Sequence, residues 1–387
     1  MSEKIVRKDW VSSFNLIGVP KVNDYTFKTD ERSEKSNWVY NAMNLGVDCG
    51  EGAGCVYCEL MGGYSEENEN RIYAHGKKDD GSDDFDKQIV VDWSDRFNDD
   101  ILEEIGEMSF ISVGLEKTDK DKTYYKKFLS AYDAIAYIKE HLNEDMVVNI
   151  RGNLKYSSYN DTVQVRKNIT SIALSKADDS SKYKATFTQS ILIDKDSVSL
   201  KADNIDKDKG VVFVNARVLD YVKEVNGVEV KGQYPYSKTF EFALNLDNEK
   251  QCKAIYEKLF KVKKGVTQIT MEGDFIESGA VVTTTLDDLP DEIRDLVEMG
   301  VYTEEEACAK CTANGNRERR MVLKKPLIRL VGDDKVPVVQ KFEERFTEED
   351  LVLDCMTKNN DANDDKPPFD AEEESGSDNS MDWLNSL

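Results

Sequence analysis

The chain has 387 residues, with 52 lysines and arginines against 76 aspartates and glutamates, so its net charge is −24. That length allows two or three domains with their own cores, and a chain with no run of ~18 apolar residues has no helix to put through a membrane. The opening MSEKIVRKDWVSS lacks the apolar stretch of a signal segment and the seven cysteines are odd in number, so a cytoplasmic protein with reduced thiols or a metal site is expected, not a disulfide framework.

Taken in chain order, residues 1–36 read as an N-terminal arm with one strand-like piece, Phe14 to Val19, and a charged stretch KTDERSEKS. From residue 37, NWVYNAMNLGVDC and CVYCELMGGY place apolar and aromatic residues between Gly and Asp breaks, as strands do. The GVDCGEGAG run between them reads as a hairpin turn. Residues 65–87 are polar and rich in Gly and Asp, and predict a long exposed hairpin loop with a short strand at Ile72 to Ala74. Gln88 to Trp93 and Met108 to Leu115 follow as strands, with a short helix between them. An amphipathic helix is then predicted over Ala131 to Leu142, and strands over Val147 to Tyr156 and Thr162 to Leu174. Residues 37–175 thus form one unit.

A Ser/Asp/Lys-rich joint at 175–182 separates a second unit, residues 183–287. Its strands lie at Tyr183 to Ile193, Val211 to Lys223 and Phe240 to Leu244, and VNGV at 225–228 is a two-residue hairpin signal. A helix over Asn248 to Phe260 and strands at Thr267 to Glu277 and Val281 to Leu286 close it. Residues 290–355 predict short helices and a hairpin of Met321 to Val331 with Val336 to Phe342. The segment 358–387 is acidic and polar, with too little apolar surface to fold alone, and is expected to be disordered.

The same pattern therefore occurs twice: several strands, a helix, a strand with a central glycine (Gly152, Gly273), then a closing strand. That is the chain order of an OB-fold. The fold class is mainly β with α (α+β): two tandem OB-fold-like small barrels, a small α/β C-terminal region and the acidic tail.

Alternation assigns the faces. In the first copy Val148, Ile150, Gly152, Leu154 and Tyr156 share one side of a strand, and Asn149, Arg151, Asn153 and Lys155 the other. Arg166 and Lys167 follow on the next strand, Tyr159 lies in the turn, and Tyr124, Tyr125, Lys126 and Lys127 precede the helix. Rings beside cations suit single-stranded nucleic acid, because bases stack on the rings while Lys and Arg neutralise phosphates. The candidate binding residues are therefore Tyr124, Tyr125, Lys126, Lys127, Arg151, Asn153, Lys155, Tyr156, Tyr159, Arg166 and Lys167; the bland reading is a solvated sheet face. The second copy carries Glu272 and Asp274 outward and would repel phosphate. It is assigned to architecture, self-association as a homo-oligomer, or a protein partner.

A second basic cluster, Arg317, Arg319, Arg320, Lys324, Lys325 and Arg329, either grips phosphates or receives the chain's own acidic tail. Cys49, Cys55 and Cys58 with His75 are a weak zinc set, because residues three apart on a strand face opposite sides and the second Cys-x-x-Cys half is missing. Packing is the preferred role for Cys308 and Cys311. No phosphate loop, His-Glu-x-x-His or nucleophile elbow is present, so no enzyme, catalytic residue or cofactor is expected.

Residues 361–387 hold nine acidic residues and one lysine, yet end with Met381, Trp383, Leu384 and Leu387, and Pro367, Pro368 and Phe369 lie upstream. Together with the glycine-centred strand and the Tyr/Lys/Arg content of 147–167, this resembles bacterial and phage single-stranded DNA-binding proteins, most closely a phage-encoded member. The resemblance implies an OB core that coats single-stranded DNA in phage replication or recombination, in the host-cell cytoplasm. It also implies a tail that recruits replication and repair proteins through Phe369, Met381, Trp383, Leu384 and Leu387. The chain departs from that family in ending Trp-Leu-Asn-Ser-Leu instead of Pro-Phe, in its length and in its acidic body. The alternatives are a structural or assembly protein of a phage, and a metal-dependent replication nuclease.

Overall fold

The computed structural model describes residues 5, 7, 9–33, 36–159, 162–177, 179–225, 228–278, 293, 294, 297, 299, 301–303, 307, 318–332 and 334–352. The first half consists of β1 (Ser12–Lys21), β2 (Phe27–Arg32), β3 (Trp38–Asp48), β4 (Cys55–Ser65), β5 (Arg71–Lys77), β6 (Asp83–Asp92), α1 (Asp99–Glu104), β7 (Ile111–Lys117), β8 (Thr123–Phe128), α2 (Ala131–His141), β9 (Val148–Tyr159) and β10 (Thr162–Leu174). The second half has β11 (Lys184–Ile193), β12 (Ile205–Asp206), β13 (Val211–Val225), β14 (Val228–Ala243), α3 (Glu249–Ile255), β15 (Val266–Ser278), β16 (Glu318–Pro326), β17 (Ile328–Val331), β18 (Val336–Val339) and β19 (Lys341–Phe346).

Pairing closes two barrels of the same order. In the first, β1 pairs β3, β3 pairs β4, β4 runs parallel to β10, β10 pairs β9, and β9 returns to β1. In the second, β11 pairs β13, β13 pairs β14, β14 runs parallel to β16, β16 pairs β15, and β15 returns to β11. Each is the five-stranded order 1-2-3-5-4-1 of an OB barrel, with the helix between its third and fourth strands. The barrels share a sheet, because the two first strands, β1 and β11, pair antiparallel from Ser12↔Gln189 to Ile17↔Lys184. Β-sheet hydrogen bonding is thus continuous from one barrel to the other, and the fold is mainly β around one large mixed sheet.

The first barrel therefore begins inside the segment read as an arm: Ser12–Lys21 alternates buried Phe14, Leu16 and Pro20 with less buried neighbours and supplies the first strand. The fifth strand of the second barrel is also not the predicted one. Val281 to Leu286 lies outside the described residues, and Glu318–Pro326 closes the barrel in its place. The hairpin expected from Met321 is accordingly divided. Β16 joins the barrel, β17 and β18 pair with each other as a short ribbon, and β19 resumes along β15. The expected exposed loop at 65–87 is largely β5 and β6, whose Ala74 and Val91 pack with Ile105 and Phe110 in a small separate core. Asp83, Asp84 and Asp86 hide this pairing in the sequence, because they interrupt the apolar alternation at the start of β6.

The two repeated glycines occupy matching places. Gly152 pairs with Phe14 and Gly273 with Phe187, while Phe14 and Phe187 pair with each other across the barrel junction. A Cβ at Gly152 would lie 1.9 Å from the Asn168 carbonyl oxygen and 2.7 Å from the Phe14 ring; at Gly273, 2.4 Å from the Val322 carbonyl oxygen and 2.5 Å from the Phe187 ring. Each glycine lets the closing strand cross tightly while a first-strand phenylalanine fills the core. Helix α2 starts at Ser130, whose hydroxyl accepts from the Tyr132 N–H, and buries Ala134, Ile135 and Ile138 against the barrel.

Candidate nucleic-acid interface

The hairpin β9–β10 reaches past its own barrel onto the second one, and this divides the predicted residues. Arg151, Asn153 and Lys155 lie exposed on its outer side, and Arg166 is half-buried with Nε 4.0 Å from Glu59 Oε1. Lys155 Nζ stands 3.4 Å from Asp220 Oδ1. Tyr156 and Lys167 alternate to the inner side and are not available at the surface, which corrects their assignment to the binding face. The Tyr156 hydroxyl donates to Gln189 Oε1 (3.0 Å) and its N–H to Asp220 Oδ2 (2.7 Å), and burial, then Asp220, pushes its phenol upward. Lys167 is only 9% exposed; its Nζ lies 2.6 Å from Glu277 Oε1 and 4.8 Å above the Phe275 ring. Arg166 and Lys167 are consecutive, so one strand could not present both. The side chain of Tyr159 lies outside what the structure describes, as do Phe369, Met381, Trp383, Leu384 and Leu387.

Tyr124, Tyr125, Lys126 and Lys127 all lie on β8, with both rings about half exposed (50% and 53%). Lys126 Nζ sits 4.7 Å over the Tyr137 ring, and Lys127 Nζ 2.7 Å from Glu107. Two strands, β10 and β7, stand between β8 and β9. The two predicted groups therefore belong to one sheet without forming one cluster.

A third surface was not singled out from the sequence. On the outer side of β3 and β4, opposite the buried Val39, Met43, Leu45 and Val56, Leu60 rows, stand Trp38, Tyr40, Tyr57 and Met61. The Trp38 and Tyr40 rings stack at 5.0 Å with 17° between their planes. Tyr57 lies across Gly46, where a Cβ would be 3.2 Å from its ring, and Gly46 pairs with Tyr57 in the ladder. Met61 is 47% exposed. These are the second and third strands of the barrel, the face that OB-folds use for oligonucleotides. The signal was present as aromatic residues at alternate positions 38 and 40, but only the barrel order says which strands carry the open face.

Cys49, Cys55, Cys58 and His75, the described members of the candidate set, do not come together as a metal centre. Cys49 and Cys58 are buried, Cys55 faces the other side of β4, and His75 packs against Phe85 in the β5–β6 ribbon. Among the described residues no group of three or more His, Cys, Asp or Glu converges to hold a metal. Burial pushes the Cys49 thiol up to about 12 and the Cys58 thiol higher in the same direction, so neither is a thiolate near neutral pH.

In the second barrel the acidic outward residues are neutralised from within. Lys324 pairs with Asp274, Lys325 with Glu272 (3.1 Å), and Arg320 Nε donates to Glu241 Oε2 (2.7 Å). The second basic cluster thus serves largely as counter-charge for β15 and β14. Arg317 lies outside the described residues. The N-terminal segment packs here too: Ile5 joins Leu192, Leu219, Val266, Phe346 and Leu351 in a small core, and Arg7 reaches Asp220 at 3.1 Å.

The sequence model of the YorF family matches residues 67–268, about half of the chain. The chain belongs to the YorF family. The part that defines the YorF match runs from the β5–β6 ribbon through α2, the β9–β10 hairpin and α3 into β15, and leaves β1, β3 and β4 outside it. No curated protein matches this YorF chain in sequence. Among solved structures it is similar to a deletion mutant of the single-stranded DNA binding protein from Thermus aquaticus, at 8% identity and a TM-score of 0.32, covering 84% of this chain and 98% of that one. Among the described residues, no helix is long and apolar enough to cross a membrane.

Proposed function

We propose that this chain is a non-enzymatic binder of single-stranded DNA, with the outer face of β3 and β4 as its platform. The observation that carries the reading is the row of Trp38, Tyr40, Tyr57 and Met61 on the second and third strands of an OB-ordered barrel. Rings at ~1–3 kcal/mol per stacked base supply affinity that does not depend on net charge, which suits a chain carrying −24. Arg166 on the strand beside β4, with Arg151 and Lys155 one strand further, supplies phosphate contacts along the same sheet. The acidic segment with its apolar end supports a coating protein of phage replication or recombination that recruits other replication proteins.

The test is titration of the full chain into fluorescent oligothymidine at low and moderate salt. Trp38→Ala and Tyr57→Ala should each weaken binding by about 5- to 150-fold, the equivalent of ~1–3 kcal/mol. Absence of binding by the unmodified chain at low salt sinks the proposal, and a parallel series with oligouridine reports DNA against RNA preference.

A further inference from the structure

The β17–β18 ribbon carries a row of exposed apolar side chains with no cover among the described residues. Pairing of Ile328 with Val339 and of Leu330 with Pro337 puts these four side chains on one side, and Ile328 and Leu330 are 59% and 64% exposed. Val331, Val336 and Val338 are exposed on the other side beside Arg329. A two-stranded ribbon is marginal in water unless something covers an apolar face, and a contiguous exposed apolar patch marks an interaction surface. The barrel's own ladder does not use the ribbon. It leaves β15 at Leu327, whose N–H donates to Thr270 O, and returns at Gln340, which accepts at its carbonyl from the Thr270 N–H.

The chemistry around the ribbon selects its occupant. Residues 319–345 hold eight lysines and arginines against four acidic residues, and five of the eight, Arg320, Lys324, Lys325, Lys341 and Arg345, are paired within the fold. Arg329, on the ribbon, and Lys335, in its turn, have no ion pair among the described residues. The complementary segment is in the same chain: residues 361–387 hold nine acidic residues and one lysine and carry Met381, Trp383, Leu384 and Leu387 at their end. Reach is sufficient. Val352, the last described residue, is within ~45 Å of Val339 along the chain at ~3.3–3.6 Å per residue, and the residues from 353 to 384 can span about twice that.

We propose that the apolar end of the acidic segment docks on the Ile328–Leu330–Pro337–Val339 face of the ribbon in the same chain, with the acidic residues before it passing Lys335 at the ribbon's turn. The segment is then held against the second barrel, away from the β3–β4 rings, and its apolar end is withdrawn from partner proteins until one displaces it.

Hydrogen exchange of the full chain tests the contact. Trp383→Ala with Leu384→Ala should speed exchange of the amides in 328–339 by about tenfold while β9 and β15 stay unchanged, because only the local opening of the ribbon is affected. Unchanged exchange in the ribbon overturns the proposal. A photo-reactive phenylalanine analogue in place of Leu384 gives the second readout. Cross-links to 328–339 at monomer mass are expected; cross-links elsewhere, or at dimer mass from a second copy, overturn it. Neither measurement contains nucleic acid, so failure here leaves the DNA-binding proposal to its own titration.

Discussion

Lys167 and Glu277 join the barrels through a pair that is almost wholly buried, 2.6 Å apart, with Glu277 Oε2 lacking any partner. A buried charge whose counter-charge is removed costs far more than the pair contributes, because the remaining ion is left desolvated and uncompensated. Lys167→Met should therefore destabilise the chain by roughly 3–5 kcal/mol in denaturant unfolding, and Lys167→Met with Glu277→Leu should recover most of that loss. A single variant as stable as the parent would show that the pair is not desolvated. Read from the sequence, Lys167 is a surface cation, because its own strand is locally basic. Its true environment is made by β15, about 110 residues away, which no local pattern reports. Tyr156 is the opposite case: its place on the core side of the alternation was legible beforehand, and its burial follows from it.

At the scale of elements, Gly152 and Gly273 explain why the strand–glycine–strand pattern occurs twice. Each sits where a closing-strand carbonyl and a first-strand phenylalanine meet the strand at less than van der Waals distance from any added Cβ. Because the obstacle is backbone as well as ring, the site cannot relax by a rotamer change. Gly152→Ala and Gly273→Ala should each lower stability by about 1–3 kcal/mol, read as a fall in the denaturation midpoint. An alanine tolerated at both positions would mean the crossing is looser than described. The helices, the glycine strands and the Asn-Gly hairpin register, with Val225 paired to Val228, were readable from periodicity and turn chemistry. The closing strand of the second barrel was not, because 39 residues intervene between Ser278 and Glu318 and the nearer apolar run looked equivalent.

For the whole molecule, charge is the constraint that any nucleic-acid reading must meet. Most cations near the candidate interface already have acidic partners: Lys155 with Asp220, Arg166 with Glu59, Lys167 with Glu277, Lys127 with Glu107. Few phosphates can then be neutralised without breaking an internal pair. The salt dependence of oligothymidine binding should be shallow, with a log–log slope no steeper than about −3, and Arg151→Ala should reduce it by about 0.7. A slope near that of a strongly basic binder would place the contact on a surface other than the β3–β4 rings.

The sequence by itself determined the mainly β class, the duplicated strand–helix–glycine-strand order and the acidic segment with its apolar end, because each is written in residues close together along the chain. Tertiary structure alone decided that the barrels share one sheet through β1 and β11, and that Lys167 is interior. It also decided that the ring-bearing face lies on β3 and β4. Strand partners and barrel closure depend on hydrogen bonding between segments tens to hundreds of residues apart, and alternation within one strand says which side chains share a face but not what that face meets.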